Sequence, residues 1–307
     1  MTAKQLENLL KTGQIIIMNG GTGSEITARG IRTTLPLWSA KALLTHPEVV
    51  KQIHRDYVDS GAQIIVTNTF RTTERTFKKA NFKNKAKAAT LLACKLAREA
   101  VRESGKQAWV GGSIAPLEDC YRPDLVPPVK ELKKEHLENV RNLKKGEVDF
   151  VLAETMISID EAASVCQAAQ KVKIPVAVSF CCNSKGQLLG GEDLQKAVSV
   201  IATYGPLFIS LNCMPPRIIT KVVKKLRKLT DLPIGVYAQG DGGVDDVQGW
   251  TGGGVKAADS YLKEAQKWIK SGVQIIGGCC GTNPEYIKNL SAFVPGMRLN
   301  LTFLLLS

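Results

Sequence analysis

The chain has 307 residues, of which 44% are hydrophobic and 22% are charged, a composition typical of a globular protein. No apolar run reaches the length of a membrane span and the first fourteen residues lack a signal-peptide core, so we expect a cytoplasmic protein without a membrane partner. The formal net charge of +13 lies on lysine-rich amphipathic segments without a recognition motif or interleaved aromatic residues, so we expect no nucleic-acid partner.

Eight short apolar runs recur along the chain, with helical patterns between them. Their nearly continuous apolar character is typical of parallel strands that are buried on both faces. Eight strand–helix units predict an α/β protein, a single (β/α)8 TIM barrel that covers residues 1–307 as one domain. A doubly wound open sheet is the alternative, but the even spacing of the units favours a closed barrel. The predicted strands are 14–19, 62–69, 107–114, 148–155, 175–182, 207–213, 233–237 and 273–278.

Three cysteines follow two of these strands. Cys213 ends the sixth run, whereas Cys279 and Cys280 follow the eighth, with glycines on both sides of the pair. Neighbouring side chains on a strand point to opposite faces, but glycines let the backbone bend so that both sulfurs face one point. Three thiolates with one open coordination position predict a catalytic Zn²⁺ site at this end of the barrel.

Two other interpretations of the cysteines remain open at this point. The three residues could be small buried hydrophobic side chains, as most free cysteines are. Cys181 and Cys182 form a rival adjacent pair at the end of the fifth predicted strand, but no glycine hinge precedes them, and we assign them a structural role or a role in supporting the metal ligands. Disulfides are not expected in a chain of this size without a secretion signal.

Glu154 ends the fourth predicted strand, where an unpaired carboxylate would be costly. We interpret Glu154 as the group that binds a substrate ammonium; a salt bridge to a neighbouring strand is the alternative. Active sites of TIM barrels lie at the carboxyl ends of the strands. Thr69, Ser113 and Gln239 occupy such ends, and we expect them to contact substrate.

Several motifs resemble those of the homocysteine S-methyltransferase family, over nearly the whole chain. The most specific are Asn212-Cys213 and Gly277-Gly278-Cys279-Cys280, which in that family hold zinc on a (β/α)8 barrel. The other matching segments are Asn19-Gly20-Gly21-Thr22-Gly23-Ser24-Glu25 with Arg29-Gly30, Pro36-Leu37-Trp38-Ser39-Ala40, Thr67-Asn68-Thr69-Phe70, Gly112-Ser113-Ile114-Ala115-Pro116, Glu154-Thr155 and Ser179-Phe180.

The resemblance implies zinc-dependent transfer of a methyl group to the thiol of homocysteine, which yields methionine. Glu154, with the Asn19-Gly20 turn, would hold the amino-acid ammonium, and the indole of Trp38 would hold a cationic donor by cation–π attraction. S-methylmethionine or S-adenosylmethionine is the favoured donor and betaine the second. A packed aromatic at the barrel mouth is the alternative for Trp38.

Two positions depart from the family pattern. Asn19 stands where the family usually has aspartate, and the loop after the seventh strand, 237–242, reads Tyr-Ala-Gln-Gly-Asp-Gly in place of Tyr-Pro-Asn followed by small residues and an acid. The alternative function is therefore a barrel that acts on another thiol or only binds amino acids. The apolar segment 297–307 is expected to pack on the barrel or on a second subunit of a homo-oligomer.

Overall fold

The computed structural model describes residues 1–245, 247, 249–252, 254–255 and 257–294. Ten strands lie in these ranges, eight in one parallel sheet and two in an antiparallel hairpin. They are β1 Ile16–Ile17, β2 Ile64–Val66, β3 Trp109–Ile114, β4 Phe150–Met156, β5 Val176–Phe180, β6 Ile209–Asn212, β7 Ile234–Ala238, β8 Gly243–Asp245, β9 Gly249–Thr251 and β10 Val273–Gly278.

Helices connect the strands and surround the sheet. The described α-helices are α1 Ala3–Lys11, α2 Thr22–Ala28, α3 Ala40–Thr45, α4 Pro47–Asp59, α5 Glu74–Lys79, α6 Ala86–Ser104, α7 Val129–Lys145, α8 Ile159–Val172, α9 Leu194–Ala202, α10 Pro216–Arg227, α11 Ala258–Lys270 and α12 Pro284–Phe293. None of these helices has the length and apolar character needed to cross a membrane.

The parallel sheet closes into a barrel. Its strand order is β1-β10-β7-β6-β5-β4-β3-β2, and a parallel bridge between Met18 and Ile64 joins the two outer strands. The Asn19 amide donates to the Ile64 carbonyl at 3.0 Å across this seam. The predicted (β/α)8 barrel is confirmed, each of the eight predicted strands overlaps one barrel strand, and the open-sheet alternative is wrong.

The two faces of the sheet bury separate apolar cores. The larger core lies between the sheet and the outer helices. The smaller core fills the barrel interior with bulky side chains such as Phe150, Phe208 and Ile275, as expected for strands buried on both faces.

Helix α1 closes the amino-terminal end of the barrel. Leu6 and Leu10 join the interior core, the Trp109 indole donates to the Thr2 carbonyl at 2.8 Å, and the Gln274 amide donates to the Leu10 carbonyl at 2.6 Å. Ligands must therefore enter at the opposite end. The segment 297–307, for which we predicted packing on the barrel or a second subunit, lies outside the described residues.

Candidate active site at the carboxyl ends of the strands

A cavity of about 290 Å³ opens at the carboxyl ends of the barrel strands. Its walls come from the segments that follow the strands, together with the β8–β9 hairpin. These are residues 18–23, 35, 38–39, 66–68, 70–71, 119–122, 154–155, 213, 237, 244–245, 250 and 278–280. Of the predicted site residues, the three cysteines, Asn19, Gly20, Trp38 and Glu154 line this cavity, whereas Thr69, Ser113 and Gln239 do not.

The sulfurs of Cys213, Cys279 and Cys280 all lie within 4.8 Å of one another. We call this group the cysteine cluster. Sulfurs that share one zinc at about 2.3 Å are about 4 Å apart in tetrahedral geometry, so the spacing and the soft thiolate donors suit Zn²⁺. Cys213 is buried, while Cys279 and Cys280 are partly exposed, which leaves one side of the cluster open to the cavity.

Backbone geometry at two glycines lets the adjacent cysteines face one point. Gly281 has a φ of +79°, and a Cβ there would lie 2.0 Å from the Asp241 carbonyl oxygen. A Cβ on Gly278 would lie 2.2 Å from the Thr282 hydroxyl. Only glycine fits both positions, so the glycine hinge that the sequence predicted around Cys279 and Cys280 is present.

Cys213 reaches the cluster from β6 through a left-handed backbone, with a φ of +56°. Its amide donates to the Tyr237 carbonyl at 3.3 Å, and its carbonyl accepts a hydrogen bond from the Gln239 side-chain amide at 3.1 Å. Gln239, which we predicted to contact substrate, therefore supports the backbone of Cys213 and does not line the cavity.

The cluster favours negative charge on one of its sulfurs, because hydrogen bonds within the cluster lower the pKa of Cys279 and raise those of Cys213 and Cys280. Hydrogen bonds from Cys213 and then Cys280 hold the pKa of the Cys279 thiol well below its usual value. The Tyr121 hydroxyl lies 3.3 Å from the Cys213 sulfur. A thiolate at this position is what a metal ligand requires.

The rival cysteine pair stays outside the cluster. The Cys181 sulfur lies 3.7 Å from the Cys213 carbonyl oxygen, and the Cys182 amide donates to the Met214 sulfur at 3.0 Å. Both residues are buried in the outer core. Their structural assignment agrees with these contacts.

Glu154 lies on β4 and faces the cavity. Burial raises the pKa of its carboxyl group to about 7, against a hydrogen bond from the Ser113 hydroxyl that lowers it. No salt bridge to Glu154 occurs among the described residues, and the salt-bridge alternative is therefore not supported there. The carboxylate remains available to a ligand cation.

Ser113 and Thr69 lie behind Glu154. The Ser113 hydroxyl bonds the Glu154 carboxylate, and the Thr69 hydroxyl donates to the Ser113 carbonyl at 2.7 Å. Sequence reasoning placed both residues in contact with substrate because they end strands. Neither residue lines the cavity; Ser113 holds the Glu154 carboxylate, and Thr69 supports the backbone of Ser113.

Asn212 joins the segments that carry Glu154 and Cys213. Its side-chain oxygen accepts the Thr155 amide at 3.1 Å, and its amide donates to the Thr155 hydroxyl at 2.8 Å. Thr155 has a φ of +60°. These two bonds stabilise a backbone conformation that a β-branched residue rarely adopts, and they fix the carboxylate relative to the cysteine cluster.

Asn19 is held by backbone groups at both ends of its amide. The oxygen accepts the Val66 amide at 2.8 Å and the nitrogen donates to the Gly20 carbonyl at 2.8 Å. An aspartate could make only the first of these bonds. Gly20 is needed for close packing, since a Cβ there would lie 2.8 Å from the Thr282 and Tyr57 hydroxyls.

Trp38 and Phe70 form an aromatic wall on one side of the cavity, with ring centroids 5.9 Å apart in an edge-to-face arrangement. Trp38 has a φ of +45° and packs on Gly23, where a Cβ would lie 2.5 Å from the indole ring. The buried indole nitrogen has no acceptor among the described residues. Trp38 therefore forms part of the cavity wall.

Sequence reasoning missed several lining residues. Tyr121 and Arg71 lie in loops, and Trp250 lies on β9 in a hairpin inserted after β7. Tyr237 was noted only as part of the loop after the seventh strand, but its buried side chain lines the cavity and interacts with Glu154. The position of Arg71 directly after the Thr67–Phe70 motif was the one available signal.

Comparisons with known proteins agree with this geometry. The sequence model of the homocysteine S-methyltransferase family matches residues 16–294. The chain is 29% identical to homocysteine S-methyltransferase from Escherichia coli over 94% of this chain and 97% of that protein. It is 26% identical to selenocysteine methyltransferase from Astragalus bisulcatus over 92% and 93% of the two chains.

The fold of a solved relative is also similar. The metallated crystal structure of the homocysteine methyltransferase MmuM from Escherichia coli superposes with a TM-score of 0.82 at 28% identity, covering 94% of this chain and 99% of that one. Residues 16–294, which the family model matches, contain the barrel strands, Glu154 and the cysteine cluster. The chain therefore belongs to the homocysteine S-methyltransferase family and is a methyltransferase.

Proposed function

We propose that this enzyme transfers a methyl group from a small sulfonium donor, S-methylmethionine or S-adenosylmethionine, to the thiol of homocysteine, with Zn²⁺ held by Cys213, Cys279 and Cys280. The observation that carries the proposal is the convergence of three sulfurs within 4.8 Å at a cavity that also contains an unpaired carboxylate. When bound, Zn²⁺ supplies Lewis acidity that lowers the pKa of a thiol beside it.

The carboxylate of Glu154 binds the ammonium of the acceptor amino acid. A nearby cation favours the ionised carboxylate and lowers its pKa from about 7. The Ser113 hydroxyl holds the carboxylate in position. Because Asn212 fixes the segment of Glu154 to that of Cys213, the acceptor is held at its ammonium end with its sulfur toward the cysteine cluster.

The aromatic wall of Trp38 and Phe70 binds the cationic end of the donor by cation–π attraction. With both substrates in place, the acceptor sulfur attacks the methyl carbon as the bond from that carbon to the donor sulfonium breaks. With S-methylmethionine, the products are two molecules of methionine and the proton of the thiol. Alignment of the two substrates can lower the barrier by several kcal/mol.

A different acceptor is the second candidate. Asn19 carries no charge and its amide is fully engaged by backbone groups, so it adds no carboxylate beside Glu154. A relative named selenocysteine methyltransferase matches over 92% of the chain. These two observations support a selenol or another thiol as an acceptor beside homocysteine.

The deciding experiment combines metal content with product formation. The protein is purified under reducing conditions, zinc is measured, and homocysteine or selenocysteine is supplied with S-methylmethionine, S-adenosylmethionine or betaine in separate reactions. About one zinc per chain and methionine from a sulfonium donor support the proposal. Product from betaine alone contradicts the donor assignment, product from selenocysteine alone contradicts the acceptor, and binding without any product indicates an amino-acid-binding barrel.

A further inference from the structure

Arg71 lines the same cavity and has no role in the steps above. It follows Phe70 in the segment after β2 and is partly buried. Its guanidinium carbon lies 5.6 Å from the centre of the Phe70 ring. The cavity wall therefore runs continuously from Trp38 through Phe70 to a fixed positive charge.

The hydrogen-bond donors of Arg71 are mostly unused. One terminal nitrogen donates to the Glu118 carbonyl at 3.3 Å, and the buried Nε has no acceptor among the described residues. No carboxylate lies within ion-pair distance of Arg71 in the described ranges.

Arg75, four residues later, differs from Arg71 because its guanidinium forms several ion pairs. Its guanidinium pairs with Glu118 at 3.1 Å, Glu131 at 2.5 Å and Glu135 at 2.5 Å. The Glu118 carboxylate also accepts Lys79. The Glu118 carboxylate is thus committed to Arg75 and Lys79, and Arg71 faces the cavity without an ion pair among the described residues.

A buried charged donor without an acceptor is costly. A guanidinium presents two parallel N–H groups that match a carboxylate, and such charge-assisted pairs are among the strongest hydrogen bonds in proteins. A lone positive charge at this wall would also repel a donor that carried only a sulfonium. A donor with both a sulfonium and a carboxylate satisfies the aromatic wall and Arg71 together.

We propose that Arg71 binds the carboxylate of the methyl donor and makes the enzyme selective for donors that carry one. This inference rests on the proposed function, because it assigns the donor to the aromatic wall and the acceptor to Glu154. Arg71 is a specificity-determining residue and takes no part in the chemical step.

The test compares S-methylmethionine with its carboxamide as methyl donors for the wild type, Arg71→Gln, Arg71→Lys and the control Arg55→Gln. Arg55 is on α4 and pairs with Asp59 at 2.9 Å, away from the cavity. We expect Arg71→Gln to raise the KM for S-methylmethionine about 10- to 100-fold, with little change for the carboxamide or for the KM of homocysteine. The KM for S-methylmethionine of Arg71→Lys should lie between those of the wild type and Arg71→Gln, because lysine keeps the positive charge but lacks the two parallel N–H groups.

Three kinetic results overturn the inference. These are an equal loss with both donors, a change in the KM of homocysteine with that of the donor unaltered, and a wild type that uses acid and amide equally well. Thermal unfolding of each variant separates misfolding from loss of recognition.

Titration calorimetry of S-methylmethionine without homocysteine distinguishes failure of the inference about Arg71 from failure of the proposed function. An inactive wild type that binds the acid more tightly than the amide, with the preference lost in Arg71→Gln, supports the inference, and a wild type that does not bind S-methylmethionine overturns it.

Discussion

The amino-terminal end of the barrel is closed, whereas the carboxyl end opens on a cavity. At the amino-terminal end, α1 covers the interior with Leu6 and Leu10, and polar groups such as the Trp109 indole find backbone acceptors. At the carboxyl end, polar and sulfur groups converge on an open cavity. Thus one end of the same sheet provides stability, and the other keeps reactive groups accessible.

Strained backbone conformations occur in the cavity wall. Three cavity-lining residues other than glycine, Trp38, Thr155 and Cys213, have φ values of +45°, +60° and +56°. Each such residue costs about 1–3 kcal/mol and persists only where its surroundings hold it. Asn212 and Gln239 are the supports at Thr155 and Cys213. At the open end, hydrogen bonds from neighbouring side chains therefore stabilise strained backbone conformations that position Glu154 and Cys213.

The largest effect is expected at the cysteine cluster. Replacing Cys279 by alanine removes one of three sulfurs and should reduce bound zinc from about one per chain to near zero and methyl transfer by about 1000-fold or more. Elemental analysis and a methionine assay measure the two quantities. Cys182→Ala is the matched control, since Cys182 lies outside the cluster, and equal zinc in both variants would contradict the ligand assignment.

At the closed end, Leu6→Ala should lower the free energy of unfolding by about 2–5 kcal/mol, because it leaves a cavity in the interior core. Urea unfolding measures this change. Both KM values and kcat should stay within about twofold of wild type at a temperature where the variant is folded. A clear change in either KM would show that the two ends are coupled, against the division described above.

An intermediate effect is expected from Glu154→Gln at the open end. The neutral amide keeps the shape of the side chain but loses the charge that binds the acceptor ammonium. The KM for homocysteine should rise about 10- to 100-fold, as for the loss of one charge-assisted hydrogen bond, with zinc content unchanged. Steady-state kinetics with each substrate varied in turn test this, and a rise confined to the KM of the donor would reverse the assignment.

His54 lies on helix α4, outside the cavity, and its protonation should affect stability alone. It is fully buried on α4, neither ring nitrogen has a partner among the described residues, and burial lowers its pKa from 6.5 to about 4. The folded state therefore binds fewer protons than the unfolded state below pH 6.5, so stability is present above that pH and is lost as the pH falls toward 4. His54 itself should contribute a loss of about 2 kcal/mol between pH 7 and pH 5. This contribution is measured as a difference from a variant without the imidazole, because Glu154, whose pKa is raised to about 7, gains stability over the same range.

The control for this pH dependence is a variant without the imidazole. His54→Leu should flatten that component of the curve of unfolding free energy against pH, whereas His46→Gln, at an exposed position, should leave it intact. Urea unfolding at a series of pH values measures both. An unchanged slope in His54→Leu would place the titrating group elsewhere.

Much of the architecture could be predicted from the sequence because it depends on local patterns of apolar residues and glycines. Continuous apolar runs predicted the eight barrel strands, and the open-sheet alternative failed only because the Met18–Ile64 bridge closes the sheet. The cysteine hinge was predictable as well, since glycine beside two adjacent cysteines is a local signal. The direction of a side chain at a strand end is not local, and for that reason Thr69 and Ser113 were expected in the cavity but lie behind Glu154.

The sequence by itself determined the order of strands and helices, the barrel class and the chemical types at the strand ends, because periodicity, propensity and motif spacing are properties of neighbouring residues. Only the tertiary structure decided which groups are satisfied. Arg71 and Arg75 are the same residue type four positions apart, yet Arg75 pairs with three carboxylates whereas Arg71 faces the cavity. That difference depends on residues 43 to 60 positions away, which meet these arginines only when the chain folds.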